Sequence, residues 1–280
     1  MDSRESSHLI QLVESEATNL HQFLAKLSQE EWLQPSACAG WTVGDVAAHL
    51  TQSAYTWSEG ITRAQAGDAG PPPGQQALRR GERGSEVTAQ RAIELRQANE
   101  KDELLKDFSN GYARLGQVLG GLQPQDWNKP CFHRRGVLPV REYVGLRIQE
   151  LTIHGWDMRS AFNESAEPSE QPLSVLVGMV PRWLTNTFGR ELAPPAPIRY
   201  RFDVPRPVPV HQDVLVGGEK FSIEPVNSKV ADVTFRCNTG NYLLLVYGRL
   251  DLNKGVPVGR LNVSGNLEQA ARFNALFRGV

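Results

Sequence analysis

Cysteine is scarce in this chain of 280 residues: only Cys38, Cys131 and Cys237 are present, far apart and with no Cys-x-x-Cys pair. Three scattered thiols fit a reducing cytoplasm, where they serve as small buried hydrophobes. Cys131, two residues before His133, is the one pairing that could make a reactive thiol. Long apolar runs are missing too; stretches such as Tyr242–Tyr247 are far too short to span a bilayer. A charge excess is also lacking: the formal net charge is −1, which offers no bulk attraction for nucleic acid or other polyanions. The start, Met-Asp-Ser-Arg-Glu-Ser-Ser-His, is polar and runs into a helix, so no secretion signal is expected and a cytoplasmic location is. There are no internal repeats.

What the chain does contain is a long helix-favouring stretch from Arg141 to Phe162, preceded by Pro139 and free of proline. At helical spacing, Val144, Ile148, Leu151, Gly155, Met158 and Phe162 form a core stripe. The adjacent stripe holds Tyr143, Arg147, Glu150, His154, Asp157 and Ala161, with Leu146, Ile153 and Trp156 on its far side. Gly145, Thr152 and Arg159 fall at the opposite pole, the expected solvent back. Four ionisable side chains thus project from an inward part of the helix. Burying charge costs several kcal/mol unless it is paired or ligated, so the stripe is either a salt-bridged helix–helix seam or a site.

A second marked stretch runs from Gly40 to Leu50. Thr42 is a good N-cap, Asp45 completes a capping box, and Trp41 and Val46 sit where a hydrophobic staple forms. Val43, Ala47, Leu50, Ala54, Trp57 and Ile61 make an apolar stripe with His49 at its edge. Elsewhere, helices are predicted over residues 8–28, over 85–119 as one long element, and over 172–190. The Pro- and Arg-rich stretch 67–84, with Arg79, Arg80 and Arg83, reads as a loop. Residues 123–139 are irregular, with a short hairpin around 131–140. After a proline-rich linker at 191–197 the periodicity changes to alternation, giving strands at 198–204, 221–224, 233–236 and 261–264. A short helix is expected from Asn241, and a closing helix over 266–277. The fold class is therefore α+β: a helical bundle over residues 1–190 and a small α+β domain over 191–280.

His49, Glu150 and His154 are a common ligand set for a catalytic divalent zinc with one position left open. Non-haem iron uses the same ligand types. Asp157, one turn beyond His154, is a candidate acceptor for that imidazole. Arg147, one turn before Glu150, either clamps a substrate carboxylate or pairs with Glu150 or Asp157.

Two motifs, Gly40-Trp-Thr-Val-Gly-Asp-Val-Ala-Ala-His49 and Arg147-Ile-Gln-Glu-Leu-Thr-Ile-His-Gly-Trp-Asp157, together resemble the mycothiol-dependent maleylpyruvate isomerase family, part of the wider DinB-like group of metal-binding bundles. The tail, through Asp232-Val-Thr-Phe, Tyr247-Gly-Arg-Leu and the segment from Gly259 to Gly265, resembles a sterol-carrier-type domain. The resemblance implies a four-helix bundle binding zinc through His49, Glu150 and His154. It also implies mycothiol or another low-molecular-weight thiol as cosubstrate. The implied chemistry is thiolate addition to an activated double bond, rotation about the resulting single bond, and departure of the thiolate. The same machinery performs S-transfer or lyase chemistry in principle, and no catalytic arginine aligns in the stretch 67–84. Two other readings stand beside the isomerase or transferase: a thiol-independent metal-dependent lyase or cyclase, and a non-catalytic small-molecule binding protein. The expected partners are a small carboxylate substrate and the thiol, with neither nucleic acid nor membrane.

Overall fold

The computed structural model describes residues 2–72, 75–78 and 85–278. Pro73, Gly74, Arg79, Arg80, Arg83 and Gly84, all within the Pro- and Arg-rich stretch, lie outside the described residues. The first compact unit ends at Pro168. Its helices are α1 (Ser3–Ala25), α2 (Gln29–Trp32), α3 (Val43–Gln65), α4 (Ser85–Ala98), α5 (Lys101–Gly120) and α6 (Val140–Arg159). Helix α1 packs on α5 and α6, and α3 packs on the same two, so four long helices close around one core. A two-stranded hairpin of β1 (Pro130–Cys131) and β2 (Leu138–Pro139) leads directly into α6.

Local capping explains where the helices differ from expectation. Helix α1 stops at Ala25 because Ser28 caps the next helix, with Glu31 returning a bond to the Ser28 N–H. The single helix expected over 85–119 is two. The Asn99 amide donates to Leu95 O at 2.8 Å, Glu100 turns to extended backbone, and α5 starts afresh. The solvent back expected for α6 does not exist. Gly145 and Thr152 are buried and Arg159 is half-buried, because α1 and α3 both pack on this helix. Thr152 satisfies its hydroxyl inside the helix, donating to Ile148 O at 2.8 Å.

The second compact unit begins at Ser169, not after residue 190. Helix α7 (Leu173–Thr187) thus groups with the C-terminal part, where the Trp183 indole donates to Val246 O at 3.0 Å. Five strands follow: β3 (Ile198–Val204), β4 (Val210–Gly217), β5 (Lys220–Pro225), β6 (Val233–Arg236) and β7 (Asn262–Gly265). The sheet order is β5-β4-β3-β6-β7, with β3 and β6 parallel and the other pairs antiparallel. Three helices complete the unit: α8 (Thr239–Val246), α9 (Leu252–Gly255) and α10 (Leu267–Leu276). Alternation along β3 sends Tyr200, Phe202 and Val204 into the core. There Phe202 meets Tyr242 of α8 and Phe273 of α10, edge to face. No described helix is long and apolar enough to cross a membrane.

The other face of β3 carries Arg199 and Arg201, which converge on Asp213 of β4. Arg199 donates to Oδ2 at 3.0 Å, and Arg201 to Oδ1 and Oδ2 at 2.8 and 2.9 Å. Burial pushes the Asp213 carboxyl upward, but the hydrogen bonds from Arg201 and Arg199 outweigh it and hold the group below its ordinary value. Folding therefore favours the ionised form. This contribution is complete above the ordinary carboxyl pKa of 3.8 and is lost as the pH falls below it. Asp213→Ala leaves Arg199 with Glu224 and Arg201 with the carbonyls of Asn227 and Lys229, and is expected to cost about 1–3 kcal/mol. Thermal unfolding should show this loss at pH 7, and should show the gap between the two proteins narrowing in acid.

Candidate metal and ligand site

The start of α3 fixes the rotation that presents His49. Thr42 Oγ1 accepts from the Asp45 N–H at 3.1 Å, and Asp45 Oδ2 accepts from the Thr42 N–H at 2.9 Å. Asp45 Oδ1 is taken by Arg96 of α4 at 2.8 Å, so Asp45 is a capping and bridging residue. Two turns into α3, His49 Nε2 lies 2.9 Å from Glu150 Oε2 of α6. The same oxygen is 3.7 Å from His154 Nε2. The ligand atoms of His49, Glu150 and His154 all lie within 4.8 Å of one another. Three of the candidates from the sequence are thus brought together from helices about a hundred residues apart.

Asp157 joins them through His154, with its Oδ2 2.9 Å from Nδ1. With the proton on Nδ1 donated to Asp157, Nε2, 3.7 Å from Glu150 Oε2, would offer its lone pair to an ion. Burial pushes the Glu150 carboxyl up, but the hydrogen bond to His49 and the charges of His154, His49 and Arg147 overcome it and hold the group well below the carboxylate range. Burial lowers His49, against the opposing pull of Glu150, with His154 and Arg147 adding to the lowering. An ionised carboxylate beside a neutral imidazole is the protonation state a divalent ion requires. The donor set and its spacing therefore fit such an ion.

Arg147 does not pair with Glu150 or Asp157. Among the described residues none of its three guanidinium nitrogens has a hydrogen-bond partner, and all three are buried. The group lies over Trp57, 5.5 Å from the ring centre, and 6.0 Å from that of Tyr112. Trp57 is itself stacked on Tyr143, with ring centres 3.8 Å apart.

Sequence reasoning missed two neighbours of the histidines. Trp41 is not only a staple candidate: its ring centre lies 5.3 Å from that of His49 and 6.2 Å from that of His154. Cys38 groups with His154 and Asp157 within 4.8 Å. Neither is signalled by spacing, because the loop that carries them is irregular. It is tied to α6 by a backbone bond from Ala37 N to Asp157 O at 2.9 Å.

The reactive pairing of Cys131 with His133 is not supported. Cys131 is fully buried, and burial pushes its thiol up to about 12. In the native protein Cys131 should resist alkylation at pH 8 and become labelled only in denaturant, as peptide mass mapping would show.

A four-helix bundle with a His–Glu–His cluster between two helices, followed by a mixed-sheet domain, defines a class of bundle proteins with a potential metal site. Residues 13–159 match the mycothiol maleylpyruvate isomerase N-terminal domain, and the chain belongs to that family. Residues 197–278 match the SCP-2 sterol transfer family. A crystal structure of the mycothiol-dependent maleylpyruvate isomerase is similar at TM-score 0.65 and 15% identity, covering 92% of each chain. A histidine-to-alanine mutant of that enzyme is similar at TM-score 0.64, with the same identity and coverage. At that identity the likeness is one of fold. A sequence comparison with curated proteins finds no match.

Proposed function

We propose that this protein is a zinc- and thiol-dependent isomerase or transferase acting on a small carboxylate substrate. The observation that carries the reading is the His49–Glu150–His154 cluster, with Asp157 behind His154 at 2.9 Å. A divalent cation held by these three residues would supply a Lewis acid and lower the pKa of a thiol. The chain's own residues do the rest. Asp157 holds His154 in one tautomer, Glu150 contributes negative charge, and Trp41 covers both imidazoles against water. Burial pushes the Cys131 and Cys237 thiols up to about 12, which disfavours either as the nucleophile. The sulfur is supplied by a small thiol such as mycothiol. Its thiolate adds to the carbon–carbon double bond of a cis-enone acid, the former double bond rotates, and the same thiolate leaves to give the trans acid.

Protein purified without a histidine tag should carry about one divalent ion per chain, read by elemental analysis. Glu150→Ala should lose metal and activity together, since two neutral imidazoles hold zinc poorly. Asp157→Asn should keep the metal but release it to a competing chelator roughly ten- to a hundredfold more readily. The deciding assay adds mycothiol, glutathione or cysteine to metal-loaded protein with cis-enone diacids. Isomerisation or thioether formation that requires the thiol is the expected result. Full turnover in protein free of any thiol would instead establish a lyase or cyclase.

A further inference from the structure

The Arg147 guanidinium is 1% exposed, and none of its three nitrogens meets an acceptor. Trp57 and Tyr112 offer it ring faces, which attract the charge but accept none of its five N–H bonds in good geometry. A residue kept here for packing alone would carry a desolvation cost that an apolar side chain of equal volume avoids. Among the described residues no acceptor completes these donors.

We propose that Arg147 is the subsite for a substrate carboxylate, which it grips through two parallel N–H···O bonds between the aromatic walls, one helical turn from Glu150. The placement beside Glu150 rests on the proposed reaction centre; the unmet donors do not. A planar two-oxygen anion matches the guanidinium fork. A phosphate dianion would call for more positive charge than one guanidinium supplies. Entry requires one wall to give way. Trp57 is stacked on Tyr143 at 3.8 Å, while Tyr112 lies 4.5 Å from the Phe108 ring with its hydroxyl donating to Leu50 O at 3.4 Å. Tyr112, with the longer contacts, is the wall that moves.

The test titrates the full-length, metal-loaded protein with maleate and with monomethyl maleate in a calorimeter. Maleate can engage Arg147 and the metal centre at once; the monoester has a single carboxylate. The wild-type chain should prefer maleate by roughly ten- to a hundredfold, the range expected for hydrogen bonds to a charged group. In Arg147→Gln the preference should fall to about one, with metal content and thermal midpoint recorded alongside. Arg147→Lys, which keeps the charge and loses the fork, should fall between the two and serves where the glutamine variant does not fold. A purely structural Arg147 would weaken both ligands equally and leave their ratio intact. An unchanged ratio in a folded variant, or a wild-type protein that does not bind maleate, overturns the proposal. Thiol dependence is scored separately: its absence with a collapsed ratio removes the proposed reaction and keeps the subsite, and the reverse result does the opposite.

Discussion

Beyond its exposed first turn, helix α6 is largely buried, and each polar side chain buried there must be met by something. Thr152 meets Ile148 O, the Trp156 indole meets Ala166 O, His154 meets Asp157, and Glu150 meets His49. Each contact converts a desolvation penalty into a positional restraint. Two features stand out: a carboxylate shared by two imidazoles, and a guanidinium with no acceptor among the described residues. Both lie on the stripe facing α3, so this polar chemistry of the helix is concentrated at one place.

That arrangement depends on α3 arriving at one rotation and depth. The Thr42–Asp45 box begins the helix, and the bond from Arg96 ties its first turn to α4. Gly44 lies so close to the Trp32 ring that a Cβ there would strike it, which sets the distance between the short helix α2 and α3. The bond from Ala37 N to Asp157 O anchors the intervening loop to the C-terminal end of α6. Trp41 and Cys38 reach the histidines by this anchoring.

The periodic parts of the chain are legible in the sequence. The capping box at Thr42 predicted the start of α3, and the i, i+4 spacing of Glu150 and His154 placed them on one face. Period-two alternation in 198–204 located the central strand of the second unit. Strand β4, 210–217, is not signalled by the sequence, since Val-His-Gln-Asp-Val alternates poorly. The circumference of α6 was misread because Gly145 and Thr152 are small and nearly neutral in hydropathy: a helical wheel cannot distinguish a solvent-facing glycine from one in a tight interface. The compact units divide after Pro168, so helix α7 groups with the C-terminal unit. Helix α7 has a clear apolar stripe, but a stripe does not say which core it faces. The aromatic enclosure of Arg147 was illegible too, because Trp57, Tyr112 and Tyr143 come from three different helices.

Exposure along the polar stripe of α6 gives the site a direction. The Glu150 side chain is 33% exposed, those of His49 and His154 are 12% and 14%, and Arg147 is 1%. A ligand entering from solvent therefore meets the Glu150 edge first, then the imidazoles, and the guanidinium last. Of the two thiols with shifted pKa values, Cys131 is fully buried, and neither Cys131 nor Cys237 belongs to a grouping of potential metal ligands among the described residues. Cys38 shares the neighbourhood of His154 and Asp157, yet is not grouped with His49 and Glu150. On the proposed reading, a small thiol and a small acid would approach by the same edge, the acid reaching inward to Arg147 while the sulfur stays at the His49–Glu150–His154 cluster. The reacting double bond would then lie between the guanidinium and that cluster, held at one end by a fork and attacked from the other.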